Sequence, residues 1–219
     1  MTESEETLTW NQIQELIQSG ELYKLVRSPE VAASYWEFRS KLESQGWNLV
    51  SHILETRLHW EQSELQQLNT VKYPTDEDKA DAIFRDKSTL KILKNDFPYN
   101  FESDVSHLLV WSKIYIPLYL PLGDNVPDLE YHKHMNPKVK SLVERLLNQM
   151  LSPLGLTEYV WFINYPRLQS IKTVSHIHVL IKSSDTKSVE RLLTDESLIV
   201  PISWKKFLDQ NSLSIIYKK

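Results

Sequence analysis

The first third of the chain places apolar residues at helical spacing. Thr9 stands three residues before Gln12, a pair able to cap each other's backbone N–H groups, and Ile13, Leu16 and Ile17 follow on one face. Gly20 is placed to end that helix. Ser28-Pro29 predicts the start of a second, with Ser as the cap and Pro in the first turn, and Val31, Tyr35, Phe38 and Leu42 form its stripe before Gly46. Trp47–Trp60 predicts a third, carrying Leu49, Val50, Ile53, Leu54 and Leu58. Each helix has a single apolar face and must bury it against another element. Residues 72–91 lose the pattern, and read as a charged connector with a short helix near Asp78–Arg85.

From Leu90 the period shortens. Strands are predicted around Ile92 and over His107–Trp111, and Ile114–Leu120 continues extended, with its prolines marking edges or ends. Pro127–Asn136 reads as a loop. Pro137 opens a helix with Val139, Leu142, Val143, Leu146 and Leu147 on one face, ending near Pro153–Gly155. Tyr159–Asn164 and Val174–Ile181 predict two more strands, Ser188–Leu193 a short helix, the region of Phe207 and Leu208 another, and Ser212–Tyr217 a last strand. Helices first and then strands around a helix predict an α+β fold. The expected architecture is a mostly antiparallel sheet flanked by helices, with residues 1–75 as a helical N-terminal extension packed on a main domain of residues 76–219.

Composition narrows the chemistry. Among 219 residues there are 4 Gly and no Cys, so no glycine-rich phosphate loop, thiolate nucleophile, disulfide framework or Cys-bound zinc is expected. Lys+Arg 25 against Asp+Glu 29 gives a net charge of −4, which argues against general nucleic-acid binding. The opening MTESEETLTW lacks the basic and apolar regions of a signal peptide, and the apolar stretch Ile114–Leu122 is broken by prolines and far short of a membrane span. A cytoplasmic, or also nuclear, protein without a membrane partner is the expectation. Any phosphate chemistry has to come from side chains, which directs attention to the 7 His.

His176-Ile177-His178 lies on a predicted strand, where residues two apart share a face, so the two imidazoles stand side by side. Such a pair can shuttle a proton, hold a metal, or let one ring attack phosphorus while the other binds an oxygen; a half-exposed pair with no catalytic role is the plainer reading. Asn164, Arg167, Gln169 and Ser170 precede it and could bind a phosphate or carboxylate, or form a polar hairpin loop. A second cluster holds Asn95, Asp96, His107 and Lys113, with Asn95 read as an Asx turn before Pro98 and His107 equally a core histidine. His132 and His134 form a third group, without a carboxylate or Cys at ligand spacing, and no metal or other cofactor is called for. His52 and His59 read as surface or interface residues.

Trp10 with the Ile17–Leu25 stretch, Ser28-Pro29-Glu30, Leu58-His59-Trp60, Ile92–Tyr99, His107–Lys113, Trp161–Asn164, Gln169-Ser170 and His176–Val179 together resemble the fungal N-acetylglucosamine-induced protein family. The resemblance runs from about Trp10 to Ile181 and implies no established activity. A more distant resemblance is to the histidine-triad nucleotide hydrolases and transferases, carried in order by Asp96-Phe97-Pro98, His107–Lys113, Asn164, Gln169-Ser170 and His176-Ile177-His178. It implies an antiparallel sheet with an α-phosphate over the His strand and a histidine that attacks phosphorus. The chain departs from that pattern. Val174 and Leu180 stand at the candidate positions of a third His, and the spacing from Gln169-Ser170 is off by one, so the nucleophile is His176 in one register and His178 in the other.

The resulting expectation is a histidine-triad-like pocket for a small phosphorylated molecule or nucleotide. His176 and His178 are its catalytic candidates, and Asn164, Gln169, Ser170, Asp96, His107 and Lys113 its ligand-binding candidates. The reaction class is nucleotidyl or phosphoryl hydrolysis or transfer. The alternative is a non-catalytic ligand-sensing or protein-interaction module on the same scaffold, with a protein partner. No residue pattern specifies an oligomeric state.

Overall fold

A computed structural model of the protein describes residues 3–122 and 126–202. The fold is α+β, with a four-stranded antiparallel sheet flanked by helices. Strands β1 (Leu90–Lys94), β2 (Val105–Ser112), β3 (Tyr159–Phe162) and β4 (Ser175–Lys182) stand in the order β1-β2-β4-β3. The central pair is β2 and β4, in a register that sets Leu109 opposite His178 and Trp111 opposite His176.

The predicted helix starts follow from their caps. Helix α1 (Trp10–Ser19) opens with the reciprocal Thr9–Gln12 cap, and α2 (Pro29–Ser44) with the Ser28 hydroxyl accepting from the Val31 N–H. The third predicted helix is shorter than its stripe. It comprises α3 (Leu49–His52) and a wider π-helical turn over Ile53–Leu58, ended by His59 at φ 56°. Next come α4 (Gln62–Gln67) and α5 (Asp76–Ala82), the second opening on a Thr75–Asp78 cap.

Two loop and strand expectations are corrected. Pro127–Asn136 contains a helix, α6 (Asp128–Lys133), whose acidic first turn and basic last turn both complement the helix dipole. Ile114–Leu120 forms no named strand. Its only ladder contact is an isolated bridge from Tyr119 to Met135 in the described part, and Ser112 Oγ turns the chain by donating to the Ile114 carbonyl at 2.7 Å. The helix expected at Phe207–Leu208 and the strand at Ser212–Tyr217 lie outside the described residues.

The two faces of the sheet carry different loads. Leu108, Val110, Ile177, Val179 and Ile181 join one buried cluster with Val139, Leu142, Val143, Leu146 and Leu147 of α7 (Pro137–Leu151). At roughly 1.5–3 kcal/mol for each fully buried side chain, α7 alone contributes on the order of 10 kcal/mol gross, before conformational entropy is subtracted. On the opposite face Leu109 and Trp111 pack with Leu54, Leu58, Trp60 and Leu65 of the N-terminal part. Trp10 and Ile13 of α1 belong to the first cluster, and α8 (Thr186–Thr194) lies near β1. Among the described residues no helix is long and apolar enough to cross a membrane.

Gly20 ends α1 at φ +79°, accepts the Tyr165 hydroxyl on its carbonyl at 2.8 Å, and abuts His132 so closely that a Cβ would sit 2.6 Å from Cγ. Gly20→Ala should therefore lower unfolding free energy by about 2–3 kcal/mol, from left-handed strain plus overlap. Urea denaturation measures this; a change within about 0.5 kcal/mol would contradict the packing described.

Candidate functional site

The register of β2 with β4 puts His107, Leu109, Trp111, His176 and His178 on one face. His107 Nε2 lies 2.9 Å from His178 Nδ1, a diagonal contact between neighbouring strands. The third imidazole beside the His-x-His pair thus comes from β2. His176 sits 5.2 Å from His178, centroid to centroid, and its ring packs on Trp111 at 4.5 Å.

Loops complete the group. Asn95 Oδ1 accepts from the Phe97 N–H at 3.1 Å, an Asx turn that carries Tyr99 back over the sheet. Tyr99 stacks on His178 at 5.9 Å and lies 5.1 Å from His107. Phe162, opposite His178 in the ladder, stacks on its ring at 4.6 Å and 4°. Asn164, just past β3, donates from Nδ2 to the Tyr99 hydroxyl at 3.0 Å and lies 3.3 Å from His178 Nε2. Arg27, just before α2, donates from Nε to the Phe97 carbonyl at 3.0 Å and lays its guanidinium over the rings of Tyr35 (4.5 Å) and Tyr99 (5.6 Å).

Burial decides the charge state of the histidines. His107 and His178 are 3 % and 5 % exposed. Desolvation pushes His107 down to about 3, with the Arg27 charge adding to it. Desolvation likewise holds His178 well below its ordinary value, helped by the neighbouring imidazoles and Arg27. His176 is lowered by desolvation, against the opposing pull of the Val174 carbonyl. All three rings are therefore neutral at pH 7. With the Asn164 amide as placed, His178 Nε2 accepts, Nδ1 carries the proton, and His178 donates to His107. The weaker approaches of the Tyr99 N–H (3.5 Å) and Asn95 Nδ2 (3.4 Å) to His107 Nδ1 suit the reverse direction, reached by flipping the Asn164 amide. In both directions His178 has its two nitrogens engaged. His176 differs: Nδ1 donates to the Val174 carbonyl at 3.1 Å, which leaves the lone pair on Nε2.

His176 and His178 line a cavity of about 100 Å3 between the sheet and the N-terminal helices, together with Arg27, Tyr35, His52 and Trp111. A second cavity of about 600 Å3 shares Arg27, Tyr99, Asn164 and Ser170 with the first and adds Gln169, Tyr23 and Arg39. Charged walls of the inner cavity are Arg27, Arg57, Lys94 and Asp96, an excess of positive charge around neutral imidazoles.

Residues 9–182 match the family described as "Protein of unknown function (DUF3605)". The chain belongs to this family. It is 32% identical over 200 residues to N-acetylglucosamine-induced protein 1 of Candida albicans, covering 86% of this chain and 74% of that protein. An uncharacterised protein of Saccharomyces cerevisiae is 33% identical over 173 residues, covering 78% and 77% of the two chains. The crystal structure of HTC1 superposes with a TM-score of 0.61 at 29% identity, over 85% of this chain and 95% of that one.

In this member of the DUF3605 family the residues singled out by sequence divide. His107, His176, His178 and Asn164 meet. Gln169 reaches the group through the Asn164 carbonyl, to which its Nε2 donates at 2.7 Å, and Ser170 lines both cavities. Asp96 lies in the wall of the inner cavity, paired with Arg57 at 2.8 Å. Lys113 stands apart, with its ammonium on Glu64 at 2.8 Å and 5.5 Å from the Trp60 ring centre. His52, expected on the surface or at an interface, is half-buried in the cavity wall because α2 and Trp47 close around it. Arg27, Tyr35, Tyr99 and Trp111 were not singled out. Tyr99 had a local pointer in the Asn95–Pro98 turn, whereas Arg27 and Tyr35 had none.

Neutral burial makes stability fall in acid. The unfolded chain protonates its histidines near pH 6.5, whereas folded His107 resists down to about 3 and His178 also stays neutral well below 6.5. Their stabilising contribution is complete above pH 6.5 and is lost as pH falls towards the folded values, at about 1.4 kcal/mol per pH unit for each ring. Urea unfolding at pH 7 and pH 5 should show the loss, and His107→Gln should remove about a third to a half of that slope, since His176 is lowered as well. A wild-type stability that is flat over this range would contradict neutral burial.

Proposed function

We propose that this protein binds a phosphate-bearing small molecule in a histidine-triad-like pocket and hydrolyses or transfers its nucleotidyl or phosphoryl group. The observation that carries the reading is the state of His176: a neutral ring, held through Nδ1 by the Val174 carbonyl, with a lone pair on Nε2 in a cavity that Arg27 makes positive. This arrangement favours His176 over His178 as the nucleophile. Nε2 attacks phosphorus and forms a P–N bond as the P–O bond to the leaving group breaks; water or an acceptor hydroxyl then cleaves the P–N bond, takes up the phosphoryl centre and releases a proton. His178, engaged with His107 and Asn164, is a positioning residue, and Arg27 offsets phosphate charge. In this reading residues 1–75 act as a helical cover over a domain of residues 76–219 and supply Arg27. Cytoplasm or nucleus is the compartment it implies.

A second reading, a ligand sensor without catalysis, is favoured by the strand itself: Val174 and Leu180, the candidate positions of a third His, are buried apolar residues.

The two readings separate in one set of assays on the full chain, using adenylated substrates and sugar nucleotides. The latter include an N-acetylglucosamine nucleotide, suggested by the name of the Candida albicans relative. The catalytic reading predicts turnover that His176→Ala abolishes and that His178→Ala lowers by about 10²-fold. Binding without turnover would support the sensor. Turnover unchanged in both variants would exclude His176 as nucleophile.

A further inference from the structure

The second cavity, of about 600 Å3, has a wall of one sign. Its charged lining residues are Arg27, Arg39 and Arg167, and no Asp, Glu or Lys borders it among the described residues. Three of the chain's seven Arg thus gather at one cavity, in a chain where Asp+Glu 29 outnumber Lys+Arg 25. A cavity of about 770 Å3 beside β3 shows the contrast, because Lys133, Lys140 and Glu144 line it together.

The three side chains differ in what already holds them. Arg27 borders the inner cavity as well. Arg167 commits its fork to Asp128, at 2.7 and 3.3 Å. Arg39, on α2, has a side chain 34 % exposed, and its ion pair is a loose contact with Glu43 one turn along the helix, at 3.4 Å. Such solvated pairs are weak and yield readily to a better acceptor. A guanidinium stays charged at any ordinary pH, and its planar fork matches the oxygens of a phosphate. The rest of the wall includes Leu22, Leu25 and the Tyr23 ring, which suit an organic body. The volume falls within the ~300–1,000 Å3 of ordinary small-molecule sites.

Resting on the phosphate-pocket reading above, we infer that the second cavity binds the body of the ligand and that this body carries a second phosphate, held by Arg39 with Arg167 beside it. Arg27, Tyr99, Asn164 and Ser170 border both cavities, so the two form one continuous site. One phosphate then meets His176 in the inner cavity, and the other meets Arg39 in the second. The ligand class is an organic bisphosphate of nucleoside size, and Arg39 is the residue that selects it over a monophosphate.

Calorimetric titration of the full chain with AMP and with adenosine 3′,5′-bisphosphate tests this at physiological ionic strength, in wild type, Arg39→Gln and Arg39→Lys. The two probes differ by one phosphate. The wild type should bind the bisphosphate about tenfold or more tightly than AMP. Arg39→Gln should remove most of that advantage while changing AMP affinity by less than about threefold, and Arg39→Lys, which keeps the charge, should retain part of it. Equal binding of the two probes by the wild type, or an advantage that survives in Arg39→Gln, would overturn the inference and leave the phosphate pocket standing. AMP weakened as much as the bisphosphate in Arg39→Gln would put its one phosphate in the second cavity and overturn both, as would no binding of either probe by the wild type.

Discussion

The contact on which the site depends is the imidazole–imidazole hydrogen bond between His107 and His178. It joins the two central strands diagonally and packs against the rings of Phe162 and Tyr99. Charged, two rings at 2.9 Å would repel in a medium that cannot screen them. Neutral, each offers one donor and one acceptor, and the Asn164 amide completes the chain. The register of β2 and β4 is held to the same end. A slip by one residue would turn the histidines into the cluster that α7 fills with Val139, Leu142 and Leu146, and expose Ile177 and Val179 to the polar cavity.

The same constraint separates two residues that look equivalent. His176 and His178 are two apart on one strand and share a face, yet His178 has both nitrogens engaged while His176 engages one, with its own strand's backbone. Chemical availability follows from the number of partners. The N-terminal helices serve the sheet twice over, covering Leu109 and Trp111 with Leu54, Leu58 and Trp60 and bringing Arg27 and Tyr35 to the imidazoles.

Much of this was legible along the chain, for local reasons. The Thr9–Gln12 and Ser28 caps, the α7 stripe and the alternation through β4 are patterns whose partners lie within a few residues. His-x-His on one face needs only the strand period. What was not legible depends on contacts between distant segments: Arg27 meets Phe97 across 70 residues, and Tyr35 reaches a cavity whose other wall is Trp111. Lys113 illustrates the converse. It follows the His107 strand closely in sequence, but it lies one residue past the end of β2, where Glu64 and Trp60 hold it away from the histidines. Helix α6 was hidden by the prolines on either side of it, and its dipole-matched ends emerge only when the six residues between are read alone.

A buried, neutral His107–His178 pair that leaves His176 as the chemically available ring can be seen in long-range proton–nitrogen NMR of the histidine side chains, titrated from pH 8 to pH 5. The ring nitrogens of His107 and His178 are expected to keep the well-separated shifts of neutral imidazole throughout, with one protonated and one bare nitrogen on each ring. His176 should show its proton on Nδ1. Converging nitrogen shifts for His107 and His178 with a midpoint near the ordinary value of about 6.5 would contradict it.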